Sequence, residues 1–161
     1  MFNFVKRLVM NNDKKTLIEY QRVSVNGVKN INRGGCGVFA NLFGKKLESM
    51  GYDVEYIILF RQESCVNEIM GNKIIKPTDV FSCSWTHIVL RVNGKYYVDG
   101  DGVFTTLKQV NSKDNRNRYP LIIDKQLLSK LINSRYINNW NNTFIRSTGI
   151  KKLKGNLKLI N

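Results

Sequence analysis

The chain has 161 residues, with 26 Lys+Arg against 12 Asp+Glu and one His, a net charge of +14. That length fits one domain, which buries about 70% of its unfolded surface and needs no disulfide staples. An apolar fraction of 42% with two Pro argues against disorder. Three Cys without C-x-x-C spacing, beside a single His, speak against a disulfide framework and a zinc site.

No apolar run approaches the length of a membrane span, so no membrane partner is expected. Met1 to Met10 is broken by Lys6 and Arg7 and lacks a small-residue cleavage site, unlike a secretory leader. A cytoplasmic chain with reduced thiols is expected. Ala40 is the only Ala, while Asn, Lys and Ile are abundant. That bias suits an AT-rich gene of a bacterium, virus or phage, in the viral case a chain acting in host cytoplasm.

The charge is uneven. Residues 1–50 carry +6, residues 51–102 carry −2 and residues 103–161 carry +10. Arg146, Lys151, Lys152, Lys154 and Lys158 follow one another with no acidic residue between. Residues 146–161 are therefore expected as a basic, solvated tail behind a single domain over 1–145. The basic last third suits an acidic partner or nucleic acid.

In chain order, Lys14 to Arg22 reads as a short helix capped by Asp13. A loop leads to Cys36. From there Val38, Phe39, Leu42, Phe43, Leu47 and Met50 recur at helical spacing, with Gly51 at the C′ position. Tyr52 to Phe60 reads as a strand. Residues 61–79 read as polar and irregular, a hairpin or lid. Val80 to Val92 reads as one or two strands. Asn93-Gly94 turns the chain back into Lys95–Val98. Residues 111–119 form a polar loop. Asp124 caps a helix carrying Leu127, Leu128, Leu131, Ile132 and Ile137, closed near Trp140. The order is that of an α+β fold.

Two segments carry chemistry. Cys36 opens a helix within Gly34-Gly35-Cys36-Gly37. The free N–H groups and dipole of that helix end favour a thiolate and an oxyanion. The one His, His87, begins an apolar strand and supplies the base such a thiol needs. Asp99 and Asp101 on the return strand are the groups available to orient its ring. Register decides between them. A two-residue turn sends both away from His87; loop 93–95 sets His87 opposite Asp101 and diagonal to Asp99; loop 92–94 sets it opposite Asp99. Cys65 and Cys83 read as structural.

Arg33-Gly34-Gly35-Cys36, Asn41-Leu42-Phe43, Leu47 and Gly51-Tyr52-Asp53-Val54 together resemble the nucleophile segment of arylamine N-acetyltransferases, with one residue fewer before the Cys. His87-Ile88-Val89-Leu90 and Tyr97-Val98-Asp99-Gly100 resemble their His and Asp segments. Transglutaminases and the wider papain-like superfamily share this order. The resemblance covers residues 30–102. It implies a papain-like (transglutaminase-like) core, with the nucleophile helix packed on an antiparallel sheet. It also implies a Cys36–His87–Asp99 triad, with Asp101 as the alternative third member. Asn30 and Asn32 are the implied oxyanion-hole side chains, since papain-like enzymes carry a polar group several residues before the Cys.

The expected function is cysteine-dependent acyl transfer, as a thiol peptidase or amidase or as a transglutaminase-like transferase. Its substrate would be a protein, a peptide or a small amide or ester, with no cofactor and no metal. The alternatives are a basic nucleic-acid-binding module and a catalytically inactive papain-like binding protein.

Overall fold

From Phe2 to Val25 the chain has neither Gly nor Pro, and in the computed structural model it forms one helix, α1 (Phe2–Val25). The structure describes residues 2–32, 34–83, 85–112, 118–133 and 148–161. Asp13, expected as a cap, is thus inside a helix, because nothing in the preceding residues stops helix propagation. After a loop, α2 (Cys36–Ser49) ends at Met50, and Gly51 follows with φ 90°, the left-handed stop expected of it.

The central strand β1 (Val54–Phe60) is followed by two helices, α3 (Glu63–Met70) and α4 (Pro77–Phe81). Residues 61–79 are therefore largely helical rather than irregular. Short helices carry few apolar positions, here Val66, Ile69 and Val80, so their period is faint. Next come β2 (Trp85–Val92), β3 (Tyr96–Asp99) and β4 (Gly102–Phe104). Val80 and Phe81, expected to open a strand, close α4 instead. The chain continues through α5 (Leu107–Ser112), β5 (Tyr119–Ile123) and α6 (Lys125–Asn133), and α7 (Thr148–Leu157) lies near its end. Asp124 caps α6 as expected, its Oδ1 accepting the Leu127 N–H at 2.7 Å. Ile137, Trp140 and Arg146 lie outside the described residues.

The five strands form one antiparallel sheet in the order β4-β3-β2-β1-β5. This is a mixed α+β fold. One face packs Tyr56, Ile58, Phe60, Ile88, Leu90, Val98 and Leu121 against Val38, Phe39, Phe43 and Leu47 of α2 and against α6 and α7. The other face packs Ile57, Leu59 and Val89 against Val110 of α5. With both faces covered, β1 reads as a continuous apolar run rather than an alternating one.

The C-terminal segment corrects the expected tail. α7 lies against α1 and α2, and Leu153, Leu157 and Ile160 are buried in the main core. Asn156 donates from Nδ2 to the carbonyls of Ser24 and Asn26, both at 2.9 Å, tying α7 to the end of α1. Leu, Leu and Ile recur at helical spacing while the lysines face water, so the positive run is the polar face of an amphipathic helix. Among the described residues, no helix is long and apolar enough to cross a membrane.

Leu153 is completely buried. Leu153→Ala should cost about 2–5 kcal/mol in urea unfolding, against under about 0.5 kcal/mol for a residue in a solvated tail.

Candidate active site

Cys36 is the first residue of α2, preceded by Gly35 with no side-chain cap. The first N–H groups of the helix are thus free of intrahelical partners. Two glycines let α2 lie close on the sheet. A Cβ at Gly37 would stand 3.3 Å from Ile88 Cδ1, and one at Gly44 would stand 2.7 Å from the Tyr56 ring. This close seating brings the Cys36 thiol to His87 on β2.

The hairpin register selects among the alternatives left open by the sequence. Val92 pairs with Tyr96, Arg91 with Tyr97 and Leu90 with Val98, so the loop is 93–95. Asn93 and Gly94 both have positive φ, and the Lys95 N–H donates to the Val92 carbonyl at 3.1 Å. His87 is therefore diagonal to Asp99. A register shift between Leu59 and Phe60 bends the β1–β2 pairing next to His87.

His87 Nε2 and Asp99 Oδ2 are 2.9 Å apart. The imidazole also interacts with the Cys36 thiol, whose hydrogen bond and charge help to raise its pKa. Asp99 is 3% exposed and both of its oxygens are engaged. Oδ1 accepts the N–H groups of Asp101, at 2.8 Å, and Gly102, at 3.2 Å. Asp101 itself is exposed, and its backbone N–H is one of the two that hold the Asp99 carboxylate. The Asp-Gly-Asp-Gly run is thus a turn whose first residue also holds the imidazole.

Sequence reasoning missed Gln21. It is buried on α1 and donates from Nε2 to the Asp99 carbonyl at 3.0 Å. Its own carbonyl accepts the Ser24 hydroxyl at 2.7 Å. A polar residue on the far side of a helix has no local signature that ties it to a strand end distant in sequence.

Of the two asparagines, Asn30 is exposed and has φ 63°. Asn32 is half-buried, and its Oδ1 is buried with no hydrogen-bond partner among the described residues. The loop is seated on the turn after β3, where a Cβ at Gly100 would stand 2.3 Å from Ile31 Cγ2 and 3.0 Å from Asn32 Oδ1. Asn32 is thus brought beside the Asp99–Gly100 turn, and Asn30 is not. Arg33 lies outside the described residues.

The electrostatics follow from these contacts. Burial alone would raise the Cys36 pKa, since Cys36 is only 9% exposed. The His87 hydrogen bond and charge oppose burial, joined by the N–H groups of Ile88 and Gly37, and the thiol falls below its usual value. Burial alone would lower the His87 pKa. Hydrogen bonds and charge from Asp99 and Cys36 outweigh it and raise the imidazole to about 9. The two shifts run in opposite directions, the thiol down and the imidazole up, and both favour a thiolate–imidazolium pair beside the Asp99 carboxylate.

Among the described residues no group of three or more His, Cys, Asp or Glu is placed to hold a metal ion. No protein-family model, curated protein or solved structure matches the chain.

The pair predicts a distinct pH profile. Below its pKa an ordinary thiol loses reactivity tenfold per pH unit, whereas Cys36 should keep reacting with iodoacetamide well below pH 8. His87→Ala removes the opposing charge and leaves burial to raise the thiol pKa, so alkylation at pH 7 should fall by about 10-fold or more. Alkylation rates from pH 5 to 10, read by peptide mass mapping, check both; equal rates in the two proteins would refute the ion pair.

Proposed function

We propose that this chain is a cysteine-nucleophile acyl-transfer enzyme on a papain-like, transglutaminase-like core. The observation that carries the reading is the ordered hydrogen-bonded series of thiol, imidazole and carboxylate, with the thiol at a helix N-terminus.

The chemistry follows from the positions. The Cys36 thiolate attacks an amide, ester or thioester carbonyl. The oxyanion that forms faces the Cys36 N–H at the start of α2, with the Asn32 amide as the second donor. His87, protonated on the nitrogen facing the sulfur, gives that proton to the leaving group. Asp99 holds the ring through Nε2 and stabilises its positive charge throughout. In the second half-reaction His87 accepts a proton from the incoming nucleophile, which attacks the acyl-enzyme and frees the thiolate. Water as the nucleophile makes the chain a peptidase or amidase; an amine makes it a transferase.

An activated ester such as p-nitrophenyl acetate tests the reading. The expected result is a burst of nitrophenol and an acetyl group on Cys36, found by peptide mass mapping. Cys36→Ala should abolish both, and Asp99→Ala should slow acylation by roughly 10²–10⁴-fold. Addition of a small primary amine separates the outcomes: free acetate marks a hydrolase and the acetamide a transferase. Acetylation confined to Cys65 or Cys83 would overturn the proposal.

One observation favours a second reading, binding of a polyanion such as nucleic acid. Lys151, Lys152, Lys154 and Lys158 are all exposed on or just after α7, with no acidic residue from 148 to 161. In that reading a labelled oligonucleotide binds with an affinity that falls steeply with salt, and the log–log slope drops by about 0.7–0.9 for each lysine–phosphate contact removed by Lys→Gln replacement. Cys36→Ala leaves such binding unchanged. Absence of salt-dependent binding would dismiss it.

A further inference from the structure

A polar side chain enters a core at a cost unless hydrogen bonds replace its water. Among the described residues, five polar or charged side chains other than Tyr and Cys are buried: Gln21, Ser24, His87, Asp99 and Asn156. They come from α1, β2, β3 and α7, yet they stand on one hydrogen-bonded path. Asn156 Nδ2 donates to the Ser24 carbonyl at 2.9 Å. The Ser24 hydroxyl donates to the Gln21 carbonyl at 2.7 Å. Gln21 Nε2 donates to the Asp99 carbonyl at 3.0 Å, and Asp99 Oδ2 lies 2.9 Å from His87 Nε2.

The path crosses a weak point of the fold. The last carbonyls of α1 have no intrahelical partners. Asn156 takes up that of Ser24 and also that of Asn26, just past the helix. The turn that follows lies close under α7, where a Cβ at Gly27 would stand 3.3 Å from Lys152 Cε. From this fixed helix end, Gln21 reaches across to the last residue of β3. Apolar residues of similar size would cost less to bury, whereas a satisfied polar network holds one geometry.

We propose, on the reading that the chain is an acyl-transfer enzyme, that Asn156 and Gln21 are positioning residues for its reaction. Through the end of α1 they hold the Asp99 end of β3, and Asp99 in turn holds the His87 ring for Cys36. Neither side chain touches the reacting atoms. α7 thereby belongs to the support of the site and is more than a cover on the core.

A positioning role has a signature that packing alone lacks. Burial lowers the His87 pKa, and hydrogen bonds and charge from Asp99 on β3 and Cys36 on α2 raise it to about 9. Loosening Asp99 lowers the imidazole pKa again and so raises that of the thiol. The pH profile of Cys36 moves, whereas a general loss of stability leaves it in place.

The test compares Gln21→Met and Asn156→Leu, which keep side-chain size and remove the donors, with Ile69→Ala. Ile69 is a buried residue of α3 that has no part in the path. Iodoacetamide alkylation of Cys36 is followed against pH by peptide mass mapping, with urea unfolding of each protein alongside. In both path variants the profile should move up by about 0.5–1 pH unit, which slows alkylation on its acidic side by about three- to tenfold. Acylation by p-nitrophenyl acetate should slow in kcat with KM little changed. The double variant should be no slower than the slower single one, as for two members of one path. Ile69→Ala should lose stability and keep the wild-type profile. Ser24→Ala, which removes the link between the two residues, serves where either variant fails to fold. An unmoved profile in the folded path variants, an equal shift in Ile69→Ala, or single effects that multiply in the double variant would each overturn the proposal. Those results leave the wild-type profile low. An ordinary thiol profile in the wild-type chain would instead sink the acyl-transfer reading, and this proposal with it.

Discussion

The close seating of α2 on the sheet is the constraint on which the rest of the structure depends. Gly37 and Gly44 are two helical turns apart and both face strands, the first β2 and the second β1. At Gly44 the Tyr56 ring fills the space a side chain would need, and its hydroxyl donates to Glu48 at 2.9 Å on the same helix. At Gly37 the helix meets Ile88, the residue after His87. A bulkier residue at either position lifts the helix off the sheet. The first casualty is the Cys36–His87 contact, because hydrogen bonds weaken within a few tenths of an ångström while apolar packing adjusts.

That seating also explains how buried charge is tolerated. A thiolate, an imidazolium and a carboxylate removed from water are costly unless each finds partners. Here each does. Asp99 receives the His87 ring on one oxygen and two backbone N–H groups on the other. Cys36 receives His87 together with the N–H groups of Gly37 and Ile88. Gln21 fixes the Asp99 backbone from α1, so Asp99 is held at its side chain and at its carbonyl. The +14 of the whole chain plays no such role, since most of the described lysines are exposed and act through a screening solvent.

What could be read from the sequence was local. The Gly-Gly-Cys-Gly helix start, the Gly51 stop, the Asp124 cap and the Asn93-Gly94 turn each depend on neighbouring residues, and each stands where expected. Register was not legible, because the identity of the turn residues left several loop lengths open. Long-range pairings were equally hidden: Gln21 with Asp99, and Asn156 with the end of α1. Strand β5 and helix α7 were missed for a different reason. β5 is a short edge strand that carries Pro120, and the period of Leu153, Leu157 and Ile160 is crowded by lysines. In α7 the charge and the apolar stripe are two faces of one helix, and attention to the first concealed the second.

The three cysteines carry this argument furthest, because the same side chain meets opposite environments. Burial raises a thiol pKa in both described cases, and the neighbour decides the outcome. At Cys36 the neighbour is an imidazolium, whose charge and hydrogen bond reverse the effect of burial. At Cys83 the neighbour is another thiol, whose contact adds to it. A cationic partner favours the ionised form of a thiol, whereas a thiol partner favours the protonated form. The chemistry of each sulfur is therefore set by what the fold places beside it, and neither the count nor the spacing of cysteines in the sequence carries that information.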